Sequence, residues 1–452
     1  MSTDRAAGEP ITPGPARVPG TEAAPAGAIV DGLFRRTAGQ LVARIARRLG
    51  SGRLELAEDA VQHALLQALR QWPFHGVPAV PAAWLARTAW NRALDLLRAE
   101  GRADRLASLL ASPADDAPDP APQDSGPIDD DELRLLFACC HPGIPLESAV
   151  ALALRTLCGF GIAEVARAFL AEVPRMQQRI VRAKRQIARE RLAFELPEGG
   201  ALVARRDRVL RTLYLLFNEG YAPSAGEQLL RPTLCAEAIR LCDACAAHPL
   251  LGSPEVDALL ALMLLQASRF DARLAADGSL VPLQHQDRVR WSRPLVARGH
   301  RLLDRAGRGT VVSRYHLQAG IAGLHASAPA WDATDWAGVC AFYELLLPLE
   351  DTPVLRLNRA IALGERDGPA RGVDELAECM RMRALRAHPA LHGASGEFQH
   401  RLGQHGLAAE AFARAAAHAR TLPERSHFEA RRALCEAAQG GTAQASATQQ
   451  PA

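Results

Sequence analysis

Apolar positions in this chain recur at helical spacing, and one stretch shows the pattern most clearly. "EVARAFLAEVPRMQQRIVRAKRQI" (164–187) closes one short helix, turns through "AEV", and opens a second helix. Pro174 falls in the first turn of that second helix, where its missing N–H would have no partner anyway. Met176, Ile180, Ala183 and Ile187 share one face. The opposite face carries Arg175, Gln178, Arg182, Arg185 and Arg189, with Arg179 and Lys184 on the flanks. No long alternating run of the strand type occurs, so the sequence predicts an all-α protein of two small modules and one large one.

Breaks in the periodicity set the boundaries. Residues 1–28 form a Pro/Gly/Ala-rich tail expected to be disordered, and 29–110 a first helical block. "ASPADDAPDPAPQDSGP" opens an acidic, proline-rich linker over 111–128. A second helical block covers 129–196, and "ELPEGG" forms a hinge after it. Helical hairpins follow over 200–438, then a low-complexity tail over 439–452. Within the long part, "RLGQHGLAAEAFARAAAHARTLPE" (401–424) has the punctuation of a tetratricopeptide unit. Gly403, Ala408, Ala411 and Ala415 permit close helix packing, and Pro423 ends the unit.

Composition narrows the function classes. Ala, Leu and Arg are abundant and enter helices at little cost. The net charge is only +3, so affinity for nucleic acid has to come from local clustering such as the arginine row. No apolar run is long enough to cross a membrane and no signal-peptide pattern opens the chain, which predicts a cytoplasmic protein. Nine cysteines without framework spacing fit reduced thiols. Cys242 and Cys245 form CxxC on a helix with no second pair, which reads as buried small hydrophobes; Cys139-Cys140-His141 likewise lacks complementary ligands. No Walker A loop, G-x-S-x-G or HExxH is present. A non-enzymatic protein without cofactor or metal is therefore expected.

The candidate chemistry is recognition. A helix fixed by an apolar stripe, with base-reading side chains at its N-terminal end and later arginines on phosphates, is what a helix-turn-helix reader needs; the rival reading is a solvated charged face. Only Glu190 interrupts the positive charge, which favours DNA. In the first block, Asp59, Gln62 and Leu66 line one side of a helix, a mixed surface suited to a protein partner. After a proline-interrupted aromatic loop (Trp72 to Pro81), Trp84, Arg87, Asn91 and Asp95 form a stripe suited to exposed bases.

These stretches carry a resemblance. "AEDAVQHALLQALRQW" with "PAAWLARTAWNRALDLLR" resembles region 2 of bacterial sigma factors of the extracytoplasmic-function (ECF) group. "VALALRTLCGFGIAEVARAFLAEVPRMQQRIVRAKRQI" resembles their region 4. "FACCHPGIPLESAVALALR", "LYLLFNEGYAPSAGEQLLRPTLCAEAIRL", "DGSLVPLQHQDRVRW" and "LNRAIAL" resemble the subgroup with a long C-terminal tetratricopeptide-like extension. The resemblance implies a region 2 helical bundle that docks on the β′ clamp helices of core RNA polymerase and captures melted minus-10 bases. It also implies a region 4 helix-turn-helix that reads the minus-35 element of promoter DNA and contacts the β flap. By motif, Asp59 and Gln62, with Leu66, fall in the polymerase-binding helix; Trp84, Arg87 and Asn91 in the minus-10 helix; Arg175, Gln178, Arg179, Arg182 and Arg185 in the minus-35 helix. Trp90 and Leu96 stand where the family often has basic residues, and Pro174-Arg175 replaces small polar residues.

The extension is expected to contact the two modules, because only the "ELPEGG" hinge separates them. Asp287, Arg288 and Trp291 are the candidate docking loop, since tryptophan and arginine often anchor interfaces; the bland alternative is an internal clamp. From charge, the acidic linker is expected to lie against the basic helix in the free protein. Two rival functions remain at this level: a helix-turn-helix regulator with a repeat sensor domain, and a helical-repeat interaction scaffold.

Overall fold

The computed structural model describes residues 26–99, 130–169, 171–190, 197, 199–223, 229–276 and 278–448. The acidic linker and Asp277 lie outside the described residues, as do nearly all of the N-terminal tail and Glu195, Leu196 and Glu198 of the "ELPEGG" hinge. Eighteen α-helices and no strands make up the regular structure among the described residues, as the helical periodicity requires.

The first bundle is α1 (Ala26–Leu49), α2 (Leu54–His75) and α3 (Pro81–Ala99). Its facing positions are small: Ala57, Ala60, Ala64 and Ala68 of α2 and Ala89 and Ala93 of α3 are buried, so the axes approach closely. α2 runs through Pro73 to His75, so the expected loop from Trp72 shortens to residues 76–80. The second module is α4 (Asp130–Cys139), α5 (Leu146–Thr156), α6 (Ile162–Ala168) and α7 (Val173–Arg189). Every residue of α5 from Ser148 to Leu154 is buried, and α5 is the core around which the module packs.

The long part starts with α8 (Gly199–Tyr221), α9 (Pro232–Ala247), α10 (Pro254–Ala267), α11 (Arg293–Ala306) and α12 (Arg314–Ser327). It continues with α13 (Trp336–Leu346), α14 (Pro353–Asp367), α15 (Pro369–Arg381), α16 (Pro389–Arg401), α17 (His405–Ala417) and α18 (Leu422–Thr448). Proline opens many of these helices, and Ser253, Asp335 and Thr352 accept from the first-turn N–H groups of α10, α13 and α14. Successive helices pair as antiparallel hairpins. Glycine permits the tightest crossing: a Cβ at Gly364 or Gly372 would meet the Phe398 ring at 2.4 Å. α10 is apolar all round, with eleven of its fourteen residues buried, and forms the centre of this part.

The three parts share one hydrophobic core that runs from Leu41 to Ala319. α1 meets the second module so closely that a Cβ at Gly39 would lie 2.0 Å from the carbonyl oxygen of Leu157. Arg47 pairs with buried Asp131 at 2.8 Å. α8 packs on α4 and α5, where the Cys140 thiol donates to Thr212 Oγ1. Arg240 of α9 binds fully buried Glu132 of α4 through two nitrogens, at 3.0 and 2.6 Å.

Candidate nucleic-acid interface

The arginine helix is built on its apolar stripe. Met176, Ile180, Ala183 and Ile187 of α7 are all buried, which fixes the rotation of the helix. Arg175, Gln178, Arg182 and Arg185 consequently face solvent. Arg175, Arg182 and Arg185 have no carboxylate partner among the described residues, so their donors are free for an anionic ligand. Arg179 differs: it is half-buried and pairs with Glu147 at 3.0 Å. α7 and the start of α5 enclose a groove of about 520 Å³, with Arg175, Gln178 and Arg182 on one wall and Pro145 and Ser148 on the other. The helix ends in a polar chain in which Arg189 donates to Gln186 and Gln186 to Glu190, and His141 lies 3.2 Å from Glu190.

Lys184, on the flank, points inward and donates to Glu58 of α2. The two side chains are only 11% and 8% exposed, and this pair ties the basic helix to the first bundle.

On α2, Asp59 and Gln62 are exposed, and Leu66 is 53% exposed, directly opposite the buried alanine face. An apolar Leu66 and Leu69 beside a carboxylate and an amide make a surface that water alone does not explain. On α3, Leu85, Ala89, Ala93 and Leu97 are buried, so Arg87, Asn91 and Asp95 stand in an exposed row. Trp84 is half-buried and meets Trp72 edge-on at 5.6 Å. Trp90 is half-buried beneath the Arg48 guanidinium. Both tryptophans thus support the helix as well as bordering its exposed row. Sequence reading passed over Phe74, which is 85% exposed at the tip beside α3; its place between Pro73 and the glycine turn at Gly76 was the available signal.

The expected docking loop has a different position from the one anticipated. Trp291 is 5% exposed, with the guanidinium groups of Arg288 and Arg269 at 4.2 and 5.6 Å from its ring. Arg288 donates to the carbonyl of His325, and Asp287 accepts from its own turn at Val289 N–H. All three residues are used inside the extension. The contact with the second module is made instead by α8 and α9, because their apolar faces complete its core.

The cysteines offer no metal site: all nine are buried and unpaired, and no metal-binding cluster of His, Cys, Asp and Glu occurs among the described residues. Burial raises the Cys140 thiol to about 11 and Cys245 to about 12, so both stay protonated. No helix of the described residues is long and apolar enough to cross a membrane.

Residues 34–103, which hold α2, α3 and most of α1, match the family described as Sigma-70 region 2. This part of the chain is a sigma-70 region 2 module. A second match, to a family of unknown function (DUF6596), covers residues 205–307 of the extension. An uncharacterized protein of Rhizobium meliloti (strain 1021) is 38% identical over 381 residues, spanning 83% of this chain and 89% of that protein. The chain belongs to one family with it, and a shared span of 381 residues reaches beyond the region 2 module into the extension. No solved structure matches the chain.

Proposed function

We propose that this protein is a sigma factor of the ECF type that binds core RNA polymerase and directs promoter-specific initiation. The observation that carries the reading is the pairing of two surfaces. A region 2 match presents Asp59, Gln62 and Leu66 to solvent, and a stripe-anchored helix presents unpaired Arg175, Arg182 and Arg185. In this reading α2 docks on the β′ clamp helices, Arg87 and Asn91 on α3 meet minus-10 bases, and α7 reads the minus-35 element in the major groove. The α6–α7 unit takes the part of region 4, which also contacts the β flap. The tetratricopeptide-like extension modulates the activity from within the same chain, and the protein works by binding rather than by catalysis.

The decisive experiment is transcription in vitro with purified core polymerase on promoters from the neighbourhood of the coding sequence. Transcripts that start at defined sites only when the chain is present are the expected result. Promoter binding without co-purification of core enzyme would overturn the reading in favour of a helix-turn-helix regulator with a sensor domain.

A further inference from the structure

Three of the segments singled out in the sequence of the extension converge in space. "LYLLFNEGY" on α8, the "DGSLVPLQHQDRVRW" loop and "LNRAIAL" on α14 lie up to about 150 residues apart, yet all border one cleft of about 540 Å³. Its size lies within the range of small-molecule sites. Tyr214, Phe217 and Tyr221 form one wall, and Trp331, Trp336 and Tyr343 supply further aromatic surface. Amide side chains of Asn218, Gln266, Gln318 and Asn358 reach the same space.

The charge in this cleft is unbalanced. Arg269 lies on its lining, donating to the Tyr221 hydroxyl and, at 3.1 Å, to Gln266. Two further guanidiniums, Arg273 and Arg288, act on it and add to the cost of its burial. Arg273 lies 4.1 Å from the Tyr221 ring, with Glu424 as a distant carboxylate, and Arg288 lies 4.2 Å from Trp291. Among the described residues none of the three has a carboxylate within ion-pair distance. Glu350 also lines the cleft, but Arg314 faces it at 3.4 Å. The Arg269 Nε, the Arg288 Nη2 and the Trp291 Nε1 are buried without an acceptor, and the His325 Nδ1 is buried without a partner. Burial and the two neighbouring cations lower Arg269 to about 9 and His325 to about 3, so the histidine is neutral and brings no charge of its own. Clustered buried cations without a counter-charge destabilise a fold, and leaving N–H groups unbonded adds to this. An arginine fork fits carboxylate, phosphate or sulfonate oxygens, and ring-lined walls fit an apolar or aromatic body.

We propose that the cleft between α8, α10, α12, α13 and α14 binds a small organic anion, with its acidic group on Arg269 and its apolar body against the aromatic walls. The site lies in the extension, shares no residue with the nucleic-acid interface, and is independent of the sigma-factor reading.

The test uses the purified full chain without polymerase or DNA. The probes are 1-anilinonaphthalene-8-sulfonate and N-phenyl-1-naphthylamine, which has similar rings without the sulfonate. The expected result is saturable one-to-one binding of the sulfonate, at least tenfold tighter than the neutral amine. Gln266→Glu places a carboxylate beside Arg269 and supplies the missing counter-charge. It should raise Tm and weaken the sulfonate at least tenfold while leaving the amine unchanged. Ala322→Trp, on the cleft wall, should weaken both probes. Equal binding of the two probes, or sulfonate affinity unchanged in Gln266→Glu and Ala322→Trp, would overturn the proposal. Competition by inorganic phosphate but not by benzoate assigns a phosphate head group; the reverse assigns a carboxylate. Failure of both to compete at tenfold excess over the probe's Kd would count against the anion subsite.

Discussion

Lys184 of the arginine helix donates to Glu58 of α2, and both side chains are almost fully buried at the boundary between the first bundle and the second module. The pair occupies a face of α2 that is not the one carrying exposed Asp59 and Gln62, and a face of α7 that is not the one carrying exposed Arg182. The modules are therefore joined through faces of α2 and α7 other than those that carry their exposed polar rows.

Removing one partner of this pair leaves a buried charge alone. Glu58→Leu or Lys184→Met should each lower stability by about 3–5 kcal/mol. The double change Glu58→Leu with Lys184→Met should recover most of the loss, since two apolar side chains replace two charges. Urea unfolding of the four proteins in a cycle measures this. Additive losses would mean that the pair is not coupled.

Gly39 tests the same boundary without charge. A Cβ there would lie 2.0 Å from a backbone oxygen of Leu157, which has no flexible end to move. Gly39→Ala should cost about 1–3 kcal/mol or more. It should also increase exchange of backbone amides on α1 and around Leu157 in hydrogen-exchange measurements, and leave α16 and α17 unchanged.

On DNA, Arg182 and Arg189 should behave differently. Arg182→Ala should weaken binding to the selected promoter by about 1–3 kcal/mol and relax specificity. Arg189→Ala should weaken all sequences alike and lower the salt slope by about one. Salt-dependent binding on matched and scrambled promoters separates the two effects. No change from either substitution would identify α7 as a solvated face.

A joint change of Asp59 and Gln62 to alanine should abolish co-purification with core polymerase. Both residues are exposed, so the helical circular dichroism and Tm should stay within error of the parent. Retained co-purification would remove α2 from the polymerase interface.

Acid should destabilise the extension through two histidines. Burial lowers His325 to about 3 and His388 to about 4 in the folded chain, against about 6.5 when unfolded. The unfolded chain then binds more protons below pH 6.5, so this stability is complete above pH 6.5 and is lost as pH falls toward 3–4. Each group contributes a slope of at most about 1.4 kcal/mol per pH unit. His325→Phe, which keeps a ring against Trp331 and Trp336, should reduce the slope of the urea midpoint between pH 4 and 6 by one proton's share.

The sequence made the arginine row legible because a 3.6-residue period projects buried and exposed positions directly. Met176, Ile180, Ala183 and Ile187 are buried as that period requires. The same holds for Asp59, Gln62, Arg87 and Asn91, whose exposure follows from alanine-rich faces behind them. Lys184 sits on a flank in any helical projection, and its turn toward Glu58 depends on a partner 126 residues away. The Arg269 cleft was illegible for the same reason: Tyr221, Arg269, Trp291 and His325 come from four separate segments. Trp291 looked like an interface anchor because its residue type is typical of one, and only the position of Arg269 shows that its ring is enclosed within the extension.

Two DNA elements named for positions 35 and 10 lie about 25 base pairs apart, or about 85 Å along the duplex at 3.4 Å per base pair. Under the proposed roles, modules joined by a shared core, the Lys184–Glu58 pair and the Gly39–Leu157 contact cannot bring α3 and α7 to both elements of a straight duplex at once, so productive engagement would select molecules in which the two modules have parted. Affinity then becomes a matter of populations. If about one molecule in a hundred is open, polymerase and promoter bind about a hundredfold more weakly than the separated modules would. On that reading, any agent that favours the open form would raise transcription up to that limit without touching DNA or polymerase.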